Sequence, residues 1–221
     1  MNLDETIKQL ERFVVEVKQA SFTDEMTNLG SKLALDQEKR LISEGASEFD
    51  VAVFGDLDDF KHLNDDHGHD AGDVAINKAG ETIQFVIKDL QAKAFRRSGD
   101  EFVILLKQGS IERFLLTASS FNDILFFYNE KELRTAMSLG YAIGDGKISV
   151  SDLQGRAEVA CQHAKVQGGG VCVAWKEDMT LNPLVRKSGN CRKCSARISC
   201  NMPEQKPPAK LKFCPCCGES L

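Results

Sequence analysis

Three acidic residues carry the first chemical signal in this 221-residue chain: Asp56, which follows the apolar run VAVF (51–54), and the neighbours Asp100 and Glu101 in RRSGDEFVILL (96–106). Side-by-side carboxylates repel, so a cation shared with a further acid is the arrangement that would stabilise them. If SGDE is the tip of a hairpin lying beside the VAVF strand, Asp56 and Asp100 converge at that strand's carboxyl end. In open mixed sheets this is the edge where ligands gather. Carboxylate oxygens suit Mg²⁺ or Mn²⁺, and two such ions clamp the attacking and leaving oxygens of a displacement at phosphorus. Lys61, five residues beyond Asp56, adds a positive charge for phosphate oxygens. The turn between them offers backbone N–H groups. A solvated acidic loop with no ligand explains the spacing alone about as well, because isolated DxD patterns are common.

The cysteines form a second constellation. Six of the eight lie in residues 191–221, where CRKC and CPCC give C-x2-C-x19-C-x2-C. Four thiolates at that spacing make a tetrahedral Zn²⁺ site in a ribbon. The expected ligands are Cys191, Cys194, Cys214 and Cys217, with Cys200 and Cys216 competing, while Cys161 and Cys172 are read as core. A ribbon this small cannot fold on apolar burial alone, so the zinc would supply most of its stability. From Met179 onward there are eight Lys or Arg against two acids, a local charge of +6 that leaves −11 on the rest of a chain whose net charge is −5. A basic tail suits nucleic acid, yet a protein-docking or purely structural role is the favoured reading, its partner unknown.

Positioning the acids requires a sheet. VAVF reads as a buried strand, KAFRR and FVILL as the arms around SGDE, AMSLGYAIG (136–144) and VCVAW (171–175) as further strands. Helices are expected from Ser31 as N-cap, over 71–87, over 111–127 and over 156–167, the last stopped by Gly168, Gly169 and Gly170. GDLDDFKHLNDDHGHDAGD (55–73) reads as an acid-rich turn, shaped by His67 and His69. Trp175, Phe127 and Tyr128 are expected in the core. The fold class is therefore α+β: a mixed central sheet flanked by helices, plus the small C-terminal zinc ribbon. Leu3, Ile7, Leu10, Val14 and Val17 form a short heptad seam on an N-terminal helix (1–21), fit either for a dimer contact or for docking on its own domain. The main domain is expected over 22–176, a linker over 177–190 and the ribbon over 191–221. No apolar run is long enough to cross a membrane and the N-terminus is acidic, so a cytoplasmic location with no membrane contact is expected.

VFGDLDDFKHLNDDHGHDAGD resembles the nucleotide-binding stretch of the GGDEF family, the diguanylate cyclases, and RRSGDEF resembles their signature hairpin. DEMTNLGSK is similar to the family's opening motif, SLGYA to a strand and AEVACQHAKVQGGG to the closing helix, all in family order. The resemblance implies that each domain binds one GTP and that two domains meet as a homodimer. The 3′-hydroxyl of each GTP then attacks the α-phosphate of the other, releasing pyrophosphate and cyclic di-GMP. It assigns Asp56, the Leu57 carbonyl and Asp100 to Mg²⁺, and puts Glu101 either at the metal or near the attacking hydroxyl. Lys61, Lys165 and the amides of Asp59 and Phe60 fall on the phosphates, Asn64 and Asp73 on the guanine edge. A carboxylate at Asp73 accepts from guanine N1–H and its amino group, a donor pair adenine lacks.

Three positions depart from the family. Ser98 stands where its first glycine is, a change read as tolerable even though a side chain there adds bulk near the nucleotide. Gly169 stands where an arginine usually helps bind phosphate, a loss of roughly 1–3 kcal/mol of binding. DLQA (89–92) replaces the RxxD product-inhibition motif, so feedback through that site is not expected. Two other functions stay open: a weakened GTP- or dinucleotide-binding signalling module acting through its ribbon, and a related cyclase with other nucleotide specificity.

Overall fold

A computed structural model describes residues 3–43, 49–145, 148–179, 187–190 and 197–200. By contacts the chain divides into two compact units, Met1–Met179 and Thr180–Leu221. The first is built on a five-stranded sheet in the order β2-β3-β1-β6-β7. At its centre β1 (Val51–Leu57) runs antiparallel to both β3 (Glu101–Leu106) and β6 (Met137–Ile143). β2 (Ala92–Ser98) extends the sheet beyond β3, and β7 (Cys172–Ala174) is the one parallel addition. The mixed central sheet flanked by helices expected of the main domain is observed, and it is mostly antiparallel.

Strand periodicity decides what faces what. Val51, Val53 and Leu57 of β1, with Phe102, Ile104 and Leu106 of β3, join one apolar cluster. It is completed by α4 (His69–Ile87), α5 (Ile111–Thr117) and Phe121. Ala52 and Phe54, with Val103 and Leu105, join a second cluster under α2 (Lys32–Ser43) and α6 (Val150–Val166). Both central strands are thus buried on two faces, which is why they read as unbroken apolar runs. Fully burying such a side chain contributes about 1.5–3 kcal/mol. The alternation also sends Asp56 and Glu101 to the α6 side of the sheet. On that side α6 lies almost on the strand: a Cβ built at Gly140 would sit 2.0 Å from Cys161 N and 2.2 Å from Ala157 O.

Three expectations need correction. Residues 111–127 are not one helix, since α5 stops at Thr117, a 3₁₀ turn spans Ala118–Phe121, and β4 (Ile124–Tyr128) pairs with β5 (Lys131–Thr135) as a separate ribbon. The run ILFFY is aromatic and β-favouring, and Asn129 and Glu130, both at positive φ, close the two-residue turn. Phe127 points out from that ribbon at 65% exposure, so it is not core. The stretch expected as a turn after Asp56 contains a short helix, α3 (Phe60–His67), so Lys61 and Asn64 are helical.

Ser31 caps α2 as read, its Oγ accepting from Ala34 N at 3.3 Å. The N-terminal helix α1 (Leu3–Phe22) leaves Ile7, Leu10 and Val17 at 46%, 57% and 47% exposure, so its own domain does not cover that part of the stripe. No described helix is long and apolar enough to cross a membrane.

In the second unit, β8 (Lys187–Asn190) and β9 (Arg197–Cys200) pair antiparallel, bracketing CRKC in the sequence. Cys200 lies in β9. Cys191, Cys194, Cys214, Cys216 and Cys217 lie outside the described residues.

Candidate active site

Asp56 and Glu101 are directly opposed partners across β1 and β3. Asp100 precedes Glu101 in the two-residue turn between β2 and β3, where Gly99 takes the positive φ of 46°. The tip is tied down at three points. Leu57 N donates to the Asp100 carbonyl at 3.2 Å. Arg96 Nε donates to the Gly99 carbonyl at 2.9 Å. The same guanidinium pairs with Asp24 at 3.3 Å, and Asp24 in turn accepts from Thr27 N and Oγ1. The opening motif DEMT and the signature hairpin are therefore one hydrogen-bonded assembly. Ser98 is not among the residues forced to positive φ, so serine occupies this position without backbone strain.

Lys165 reaches the same place from the last turn of α6. Its ammonium donates to Asp56 Oδ1 and lies 3.5 Å from the Leu57 carbonyl. A cation thus rests on two of the three oxygens assigned to the metal. Burial pushes the Asp56 carboxyl up to about 6, Lys165 opposes this, and the charges of Asp100 and Glu101 add to it. Desolvation and like charge are the conditions under which a bound cation stabilises an acid most. Among the described residues no three His, Cys, Asp or Glu side chains converge as a closed metal cage. An oxygen set of two carboxylates and one carbonyl nevertheless fits Mg²⁺ or Mn²⁺, which are ordinarily held by one or two carboxylates plus substrate phosphates. His67 and His69 flank the α3–α4 junction.

The remaining predicted residues lie on α3 and α4. Asp59 adopts the left-handed conformation (φ 52°) that ends β1 and starts α3, its carbonyl accepting from His62 N and Leu63 N. The amides of Phe60 and Lys61 open the helix, where N–H groups have no intrahelical acceptor and the dipole favours anions. Lys61 is exposed, and among the described residues no hydrogen bond or ion pair joins it to the acidic group. Asn64 Oδ1 is buried without a partner, a state that normally costs free energy and invites a donor. It packs into the space left by Gly72, whose neighbour Asp73 is exposed on α4.

Sequence reasoning missed Asp58. Its carboxylate accepts from Ser138 Oγ and from Gly170 N, both at 2.7 Å. Burial raises its pKa. This acid straps the glycine loop after α6 to the end of β1. A Cβ at Gly169, which has φ +79°, would meet Asp58 Oδ2 at 2.7 Å, so the strap and an arginine at that position exclude each other in this backbone. A groove of about 650 Å³ opens beside the loop, bordered by Asp59, His62, Asp66, Arg134 and Gly169. The repeated acid in DLDD was the signal for Asp58.

A family profile described as "Diguanylate cyclase, GGDEF domain" matches residues 21–170. The chain belongs to the GGDEF domain family. This GGDEF chain is 29% identical over 155 residues to the Escherichia coli K12 protein "Probable diguanylate cyclase DgcE", a match covering 66% of the chain and 14% of that relative. It is 31% identical over 175 residues to the Pseudomonas aeruginosa "Bifunctional diguanylate cyclase/cyclic di-GMP phosphodiesterase MucR", covering 76% of the chain and 25% of that relative. The chain thus spans a quarter or less of the length of these two curated relatives. In fold it resembles the crystal structure of the coiled coil and GGDEF domain of DgcB from Caulobacter crescentus, a structure in complex with c-di-GMP. The TM-score is 0.66 at 23% identity, covering 77% of this chain and 94% of that one.

Proposed function

We propose that this GGDEF protein is a diguanylate cyclase that condenses two GTP into cyclic di-GMP and pyrophosphate across a homodimer. The observation that carries this reading is the convergence of Asp56, the Leu57 carbonyl, Asp100, Glu101 and Lys165 at one sheet edge, fed by three different elements. Mg²⁺ or Mn²⁺ held by Asp56, the Leu57 carbonyl and Asp100 would neutralise charge developing on the triphosphate. Lys61 and Lys165 and the amides of Asp59 and Phe60 bind the phosphate oxygens. Asn64 and Asp73 meet the guanine edge, and the Asp73 carboxylate accepts from guanine N1–H and its amino group, which favours GTP over ATP because adenine lacks that donor pair. Glu101 stands at the metal or beside the attacking 3′-hydroxyl, which expels pyrophosphate from the α-phosphate of the partner's GTP. Each chain holds one nucleotide, so turnover requires two chains. The C-terminal cysteines Cys191, Cys194, Cys214 and Cys217 bind a structural Zn²⁺ in this reading.

The glycine loop favours a second reading. Without a cation at position 169 the domain has fewer phosphate contacts, as suits a weakened nucleotide-binding module acting through its ribbon. Incubating the zinc-loaded protein with Mg²⁺ and GTP, ATP or both, followed by mass spectrometry, separates the two. Cyclic di-GMP from the parent, none from Asp100→Ala with its fold intact by circular dichroism, is the expected result. Nucleotide binding without any dinucleotide product from the parent would establish the module instead.

A further inference from the structure

We propose that Ser98 is a positioning residue for Glu101: its hydroxyl, with the Arg97 guanidinium, holds one carboxylate oxygen so that the other stays available to the acidic site. This rests on the cyclase reading for its kinetic consequence, though not for the contact itself. Ser98 and Glu101 are the closing pair of the β2–β3 hairpin. Side chains of directly opposed residues are close enough to touch. Ser98 Oγ donates to Glu101 Oε2 at 2.8 Å, and Arg97 Nε lies 3.8 Å from the same oxygen. Both partners engage Oε2, which leaves Oε1 clear of them.

Arg97 is itself fixed. It is the bulge residue, skipped where the β2–β3 register shifts between Arg96 and Ser98. A bulge re-aims its side chain. Its Nη1 donates to Glu158 Oε2 of α6 at 2.9 Å, and its guanidinium lies over the buried ring of Phe54 at 5.4 Å. Glu101 in turn opposes Asp56, so whatever orients Glu101 orients it against the acid that Lys165 holds. A glutamate has three rotatable bonds, and a hydroxyl one strand away removes much of that freedom before substrate arrives. Glycine at position 98 offers no such donor. The serine is thus a functional substitution on the hairpin.

The test is a double-mutant cycle in the full, zinc-loaded chain: Ser98→Ala, Glu101→Ala and both together, with Ser98→Thr as the conservative variant. Urea midpoints without nucleotide read the contact. Ser98→Ala lowers the midpoint when Glu101 is present and leaves it unchanged in the Glu101→Ala background, while Ser98→Thr tracks the parent. Equal shifts in both backgrounds overturn the contact and the proposal with it. Steady-state kinetics read the role. Ser98→Ala lowers kcat roughly three- to tenfold with KM for GTP within about twofold, and Ser98→Thr restores kcat. An unchanged or raised kcat, or a loss confined to KM, overturns it. A parent that makes no dinucleotide sinks the cyclase reading instead, and the urea cycle then decides the Ser98–Glu101 contact by itself.

Discussion

At the scale of single residues, the ammonium of Lys165 is the informative group, because it rests on a largely desolvated acid that has two further acids nearby. A lysine is a mobile point charge on a long stem, so it can neutralise Asp56 in one state and serve phosphate oxygens in another. Removing it leaves Asp56 with acidic neighbours and no cation. Lys165→Met should therefore destabilise the metal-free protein by about 1–2 kcal/mol, discounted because both side chains keep a fifth of their surface in water. Urea unfolding in EDTA measures this. Mg²⁺ should then stabilise the variant more than the parent, since no ammonium has to leave the oxygens first. Equal stabilisation by Mg²⁺ in both proteins would show that lysine and metal do not share the seat.

At the scale of elements, α6 reaches the site because of what lies beneath it. Gly140 lets the helix backbone approach β6, and Cys161 Sγ, one turn before Lys165, donates to the Ser138 carbonyl at 3.2 Å. Gly140→Ala forces a methyl into backbone atoms that have no rotamer to escape by. It should cost about 1–3 kcal/mol or more of stability and should disturb the Lys165–Asp56 pair along with it. Chemical denaturation together with GTP binding checks both effects. The loop after α6 obeys the Asp58 strap in the same way. Gly169→Arg, the change that restores the family residue, should lower stability by about 1–3 kcal/mol through positive φ and the Asp58 contact. It should also fail to tighten GTP binding. Tighter GTP binding without loss of stability would show that the loop has a second conformation.

At the scale of the whole molecule, the proposed chemistry between two nucleotides held on two chains would make association part of the mechanism. Helix α1 leaves Ile7, Leu10 and Val17 of the heptad seam exposed, with Phe13 exposed beside them. In the proposed homodimer this seam meets its copy. The specific rate should then rise with protein concentration, and Ile7→Lys with Leu10→Lys should move the half-maximal concentration up by roughly tenfold or more. At dilutions where the parent is monomeric these side chains lie in water, so the double variant should there keep the parent's thermal midpoint. A rate per chain that is flat across dilution, with monomers in sedimentation, would remove the dimer from the mechanism.

Some of this was legible in the sequence and some was not, for a physical reason. Continuous apolar runs around 51–54 and 102–106 determine two-sided burial, and the turn residues between 95 and 102 determine a hairpin. Once those strands are neighbours, the convergence of Asp56 with Asp100 and Glu101 follows from chain geometry alone. Local signals were weaker between 111 and 135, where a short helix, a 3₁₀ turn and a ribbon share apolar residues that suit either period. α3 was hidden in an acid-rich stretch with too few apolar residues to show one. Side-chain partners were beyond reach. Lys165 and Asp56 are 109 residues apart, Asp58 and Gly170 are 112 apart, and only the seating of α6 on Gly140 brings them together. Ser98 and Glu101 are three residues apart, yet even their bond depends on a bulge whose position comes from the sheet's register. Sequence determined which groups were available to do chemistry. Tertiary packing decided which of them touch, because a hydrogen bond is settled over a few ångströms and a pattern of residue types resolves nothing that fine.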